Sequence, residues 1–163
     1  MAARTPASES DAEAMVSAVL TASRLLVAVS ARSLAAVEDA LTLPQFRMLV
    51  VLDTRGALSL SQLAAELGVQ PSTAMRMLDR LEAVHMVMRG HQPTDRRTSV
   101  ISLTATGRRT VHEATEHRRS QIAGIVDAMP PGQRRHLIRA LQAFTEAGGE
   151  PSVTDGTQRH VGW

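Results

Sequence analysis

No part of this 163-residue chain leaves fewer ways to fold than the stretch from Ser59 to Leu103. Ser59 with Gln62 three residues later is a capping-box arrangement that starts a helix. Leu60, Leu63, Ala64 and Leu67 then recur at helical spacing, and Gly68 supplies the left-handed residue that ends the helix at little cost. Val69 can plug the turn into a core, and Pro71 is preset for the first turn of a second helix. In that helix Ala74, Met77, Leu78 and Leu81 share one side, as steps of three and four require. Val87–Arg89 and Thr98–Leu103 are β-capable runs around a connection that bears Gly and Pro, so they read as a hairpin. Helix, tight turn, helix and hairpin make a helix-turn-helix with a wing.

The polar side of the second helix points to a partner. Ser72, Thr73, Arg76 and Arg80 lie there, with Met75 beside Ser72. Hydroxyls at a helix N-terminus can meet phosphates, because backbone N–H groups and the helix dipole favour an anion at that end. An arginine one turn further in can reach the O6 and N7 edge of guanine, and Met75 can pack on a thymine methyl. The plainer alternative is a solvated helix face. In the hairpin, Arg89 lies on the first strand, and Arg96 and Arg97 sit where the tip descends. Arginines inserted into a narrow minor groove are drawn by its focused negative potential. Asp95 has the wrong charge for DNA; it either orients one guanidinium through a bidentate pair or is simply a turn residue.

The charge distribution agrees with that partner. The net charge of +2 is an average. Residues 1–75 carry 5 Arg against 7 acids, residues 76–109 carry 7 against 3, and residues 110–163 carry 6 against 6. The surplus is therefore concentrated on the second helix of the motif, the wing and the start of the next helix, as binding to a duplex requires. Every Lys or Arg in the chain is Arg, which suits bidentate contacts to guanine and phosphate. Two Phe and one Trp supply no stacking platform for single strands or RNA.

These residues also carry a family resemblance. Leu43-Pro-Gln-Phe-Arg47, the Gln62–Gly68 turn, Pro71-Ser-Thr73, Arg76, Asp79-Arg-Leu-Glu82, Asp95-Arg-Arg97 and Leu103-Thr104 with Gly107 resemble the multiple-antibiotic-resistance regulator (MarR) family over most of residues 12–147. The resemblance implies a dimeric winged-helix repressor, or less often an activator, whose grip on DNA is altered by a small ligand, a metal ion or oxidation. Aromatic or phenolic anions are the effectors it implies. Two positions depart from the family pattern. His85 stands where Gly is usual before the first wing strand, and His tolerates positive φ at some cost. Met75 stands where a hydroxyl is common.

The rest of the chain is organised around this lobe. Residues 1–10 read as a flexible tail, and 11–40 as an Ala/Leu/Val-rich helix with Met15 and Val19 on its apolar surface. Apolar residues fill more than one stripe, so this helix is expected to touch its own lobe on one side and a second subunit on another. Thr42 and Gln45 form a second capping box, and Ala57-Leu58 reads as a short strand against the wing. Residues 41–103 thus make the DNA-binding lobe. Residues 104–147 hold a helix from Thr104 to about Asp127, a break at Met129-Pro130-Pro131, and a last helix. Ile122, Leu137, Ile138, Leu141 and Phe144 there are expected to pair across a twofold dimer. Residues 148–163, with Trp163, read as a disordered tail. The expected fold class is mainly α with a small β-hairpin wing, a winged helix-turn-helix lobe plus a helical dimerisation region.

Several other functions find little support. With no cysteine there is neither a disulfide framework nor a thiol switch. No glycine-rich phosphate loop or nucleophile elbow is present, and nothing orients a Ser–His pair, so no enzyme and no cofactor are expected. No apolar run approaches the ~20 residues that span a bilayer, and the first ten residues have no hydrophobic signal core; a cytoplasmic protein is expected. His112, Glu113, Glu116 and His117 form two i,i+4 pairs that can hold a metal, but read more simply as a solvated face, so no metal ligand is assigned. The partners expected are an inverted-repeat duplex, a second copy of the chain and a small effector. The alternatives are a metal-responsive regulator, or a winged-helix dimer that has lost DNA affinity and acts through protein contacts.

Overall fold

The computed structural model describes the backbone of residues 6–38, 40–92 and 95–149, and the side chains in those ranges except at 6–9 and 92–98. The elements run α1 (Pro6–Ala35), α2 (Leu43–Arg55), α3 (Leu60–Leu67), α4 (Pro71–Ala83), β1 (Val87–Gln92), β2 (Asp95–Leu103), α5 (Ala105–Asp127) and α6 (Pro131–Ala147). β1 and β2 pair as an antiparallel hairpin. This is the expected class, helices with a small wing. From residue 150 onward, Trp163 included, the expected tail lies outside the described residues.

Local chemistry sets the element ends. At α2, Thr42 Oγ1 accepts from Gln45 N, and Gln45 Oε1 accepts from Thr42 N at 2.9 Å. Ser59 and Gln62 repeat the exchange at α3. Each box satisfies N–H groups that the helix leaves open. Gly68 closes α3 at φ 65°. Leu58 meets the wing through a single bridge, its N donating to Ile101 O at 3.0 Å and Ile101 N to Leu58 O at 2.7 Å.

The core sits where α2, α3, α4 and the base of the hairpin converge on the first turns of α5. Leu49, Leu63, Leu78 and Leu81 are fully buried there, with Phe46, Ile101 and Val111 around them. Among the described residues no buried side-chain nitrogen or oxygen lacks a hydrogen-bond partner.

The corner between α4 and β1 is strained. His85 takes φ 57°, the left-handed conformation expected for it. Its carbonyl accepts from Thr104 Oγ1 at 2.7 Å, and its side chain is exposed. A left-handed non-glycine residue costs about 1 kcal/mol or more, and a β-branched one costs most. His85→Val is therefore expected to lower stability by about 1 kcal/mol, while His85→Gly keeps or slightly raises it because glycine's extra unfolded-state entropy offsets part of the gain. Thermal melts of the two variants check the order.

The first helix departs from expectation in two ways. It starts at Pro6, inside the stretch read as a tail, and stops at Ala35 rather than near 40. Pro6 fits the first turn of a helix, where its missing N–H costs nothing. Moreover, the expectation that no stretch reaches membrane-spanning length is corrected. Ser10–Ala35 is long and apolar enough by length and composition, with a window of mean hydropathy 1.8 that is 11% buried. The Ala, Val and Leu residues between Glu13 and Arg32 outweigh the charge of Arg24. Among the described residues of α1 only those near its end are buried, Val29, Ser30, Ser33 and Leu34, and Leu34 joins the lobe's core. Met15, Val16, Leu20, Leu25, Leu26 and Val27 remain exposed.

α5 follows the same plan. Thr104 caps it, accepting from Gly107 N at 3.1 Å, and its buried residues run only from Gly107 to Ala114. Beyond them Arg32 Nε of α1 donates to Gln121 Oε1 at 3.2 Å. α6 buries no residue. Leu137, Ile138, Leu141 and Phe144 are all exposed, and Val19 and Ile122 are half-buried.

Candidate nucleic-acid interface

The N-terminus of α4 is open. Gln70 at the N-cap makes no side-chain capping bond, and Pro71 has no N–H to satisfy. Thr73 N and Ala74 N both turn back to Gln70 O, at 2.9 and 3.1 Å. Ser72 is exposed, Thr73 is half-buried, and Arg76 is exposed with its Nη2 donating to Thr73 Oγ1 at 3.3 Å. Two hydroxyls and a guanidinium are thus gathered on one outward face, at the end of a helix that favours anions.

The remaining residues read as DNA-facing are placed differently. Met75 is half-buried and packs on the lobe's core, so part of its side chain is taken up by its own domain. Arg80 is exposed and lines a cavity of about 310 Å³. That cavity lies between the α1–α2 connection and the end of α4, with Glu38, Leu41, Thr42, Gln45, Val84 and Met86 among its walls. Its position is not legible in the sequence, because its walls come from segments some forty residues apart. Arg89 pairs with two carboxylates of α4: an Nη2–Asp79 Oδ1 contact and an Nε–Glu82 Oε2 contact of 3.0 Å. In the sequence Asp79 and Glu82 stand out only as part of the resemblance, although acids three apart beside a strand arginine are a usable signal. Arg96, Arg97 and Asp95 have their backbone in β2, paired up to Gln92↔Asp95 past a register shift at His91. Their side chains lie outside the described residues, and so does the pairing expected of Asp95.

On α5, His112, Glu113, Glu116 and His117 are exposed. Among the described residues no group of three or more His, Asp or Glu is placed to hold a metal ion. The half-buried Arg118 has its pKa pulled down by desolvation.

The chain is similar to known proteins in sequence and fold. The MarR family model matches residues 41–99, the span from before α2 into β2. The solved RV1404 of Mycobacterium tuberculosis is 49% identical with a TM-score of 0.79, over 92% of this chain and 99% of that one. The HTH-type transcriptional repressor MdtR of Bacillus subtilis is 29% identical over 122 residues, 73% of this chain and 79% of its own length. Streptococcus pneumoniae FabT, solved in complex with DNA, is 18% identical with a TM-score of 0.68, over 84% of this chain and 97% of that one. At that identity the likeness speaks for the fold alone.

Proposed function

The chain belongs to the MarR family of winged-helix, DNA-binding transcriptional regulators, and from that premise we propose that it is a homodimeric repressor, released from an inverted-repeat operator by a small-molecule effector. The observation that carries the DNA reading is the open, uncapped start of α4, where Ser72, Thr73 and Arg76 share one exposed face. In a twofold dimer two such helices enter successive major grooves roughly 34 Å apart. Arg76 reads a base edge or phosphate there, and Arg96 and Arg97 carry the wing to the adjacent minor groove. Repression is the direction named for MdtR. A regulator of this kind works on the chromosome, hence in the cytoplasm.

The cavity beside Arg80 supports the effector part of the reading. It adjoins both the connection leaving α1 and the last turn of α4. A ligand seated there is placed to change how the lobe sits on its base. To release DNA it must bind the DNA-incompetent arrangement more tightly than the competent one.

Arg76→Ala and Arg97→Ala are each expected to weaken operator binding about tenfold or more, within the range of about 1–3 kcal/mol for a lost arginine contact. Sedimentation should show an unchanged dimer. The parent's affinity should fall steeply with added salt. Binding by both variants as tight as the parent's overturns these roles, and a parent that ignores every duplex at low salt overturns the DNA reading.

A further inference from the structure

We infer that Arg89 is a positioning residue, which fastens the wing to the recognition helix through Asp79 and Glu82 instead of gripping DNA. This rests on the reading of α4 and the wing as the DNA-facing elements. Along β1 side chains alternate between faces. Val87 is 2% exposed and lies on the lobe side, Met88 is 53% exposed, and Arg89 returns to the side of Val87. There its guanidinium meets both carboxylates, Asp79 and Glu82 standing one helical turn apart on α4. Beyond Arg89 the strand carries Gly90 and the exposed His91 before the tip. Arg89 is thus the last described side chain that ties the wing to the lobe. Flanked by two acids, it sits in a group of net negative charge, which a phosphate avoids. Basicity alone places it among the DNA contacts; its partners remove it from them.

The consequence has a sign. If Arg89 gripped DNA, neutralising the neighbouring acids would remove repulsion and tighten binding. If it fastens the wing, neutralising them frees the hairpin and weakens binding. Partly exposed ion pairs are worth about 1 kcal/mol or less apiece, so the expected loss is about fivefold.

The experiment compares the full-length parent, Arg89→Met, Asp79→Asn/Glu82→Gln and the triple variant. Amide hydrogen exchange is read without DNA, and affinity is read on an operator duplex. Faster exchange in the β1–β2 hairpin is expected for all three variants, with core amides of α2 and α3 unchanged. Affinity should drop about fivefold in Asp79→Asn/Glu82→Gln, and adding Arg89→Met should cost nothing further, since contacting residues are non-additive. Tighter binding by Asp79→Asn/Glu82→Gln, or additive losses with unaltered hairpin exchange, overturns the proposal. If Arg89→Met does not fold, the near-isosteric acid variant decides alone. A parent that binds no duplex sinks the DNA reading, while the exchange data still judge the clamp.

Discussion

Gly107→Ala is expected to cost about 3 kcal/mol of stability, at the upper end of what overpacking a tight site brings. A Cβ on Gly107 would lie 2.1 Å from the Met86 carbonyl oxygen and 3.1 Å from Leu103 Cδ2. The first neighbour is backbone and cannot rotate away. It is also held from several directions. Met86 O accepts from Thr104 N at 3.1 Å and from Thr104 Oγ1 at 3.2 Å, Met86 N donates to Leu81 O at 2.9 Å, and the Met86 side chain is buried. Relief therefore means pushing the start of α5 off the α4–β1 corner. Several hydrogen bonds would then stretch at once. For a chain of this size the melting temperature should fall by about 10 °C. Because α5 runs from the lobe into the proposed dimerisation region, operator binding should weaken as well. A melting temperature within about 2 °C of the parent would show that the corner yields more readily than its bonds suggest.

That corner shows what can and cannot be read from residues alone. Thr104 as a cap and His85 at positive φ follow from local rules, since caps and left-handed residues are set by near neighbours. So do the Thr42–Gln45 and Ser59–Gln62 boxes and the Gly68 turn. Gly107 is visible in the sequence only as part of a resemblance; its reason is a long-range approach to Met86, which no periodicity reveals. The pairing of Arg89 is hidden in the sequence for a related cause. Charge is a fair guide to where arginines collect, but not to which of them is already paired, because Asp79 and Glu82 reach it only once β1 folds back on α4. Pro6 departs for a local reason: a proline among small and polar residues looks like tail, yet the same residue fits a helix's first turn. Met75 is ambiguous because its helix face lies between the buried and exposed sides, where position in sequence does not decide the matter. The cavity beside Arg80 depends wholly on tertiary placement.

Leu141→Asp is expected to turn the proposed dimer into monomers at micromolar concentration and to reduce operator affinity about a thousandfold. In a single chain the apolar side of α6 is open to water: Ile138 is 56% exposed, Leu141 51% and Phe144 55%, and the helix buries nothing. On α1, Met15, Val16 and Leu20 are at least as open. Large apolar side chains left open on both helices support the proposed contact between two copies. Already partly covered, each such side chain gains on the order of 1 kcal/mol when the rest is buried, and two helices from each of two chains supply many of them to that contact. Placing one carboxylate within it removes a leucine's share and adds the cost of burying a charge without a partner. The lobe's core lies elsewhere, around Leu49, Leu63 and Leu81, so helical content and the hairpin's exchange protection should persist. The loss on DNA comes from geometry: a monomer holds one half-site and forfeits the effective concentration that links the second, commonly about 10²–10⁴-fold. Sedimentation velocity reads the first effect and a titration with whole and half operators the second. Half-site affinity should be the same for parent and variant. A variant that sediments as the parent does would place the twofold contact on other residues, leaving the apolar face of α6 to be covered by something else.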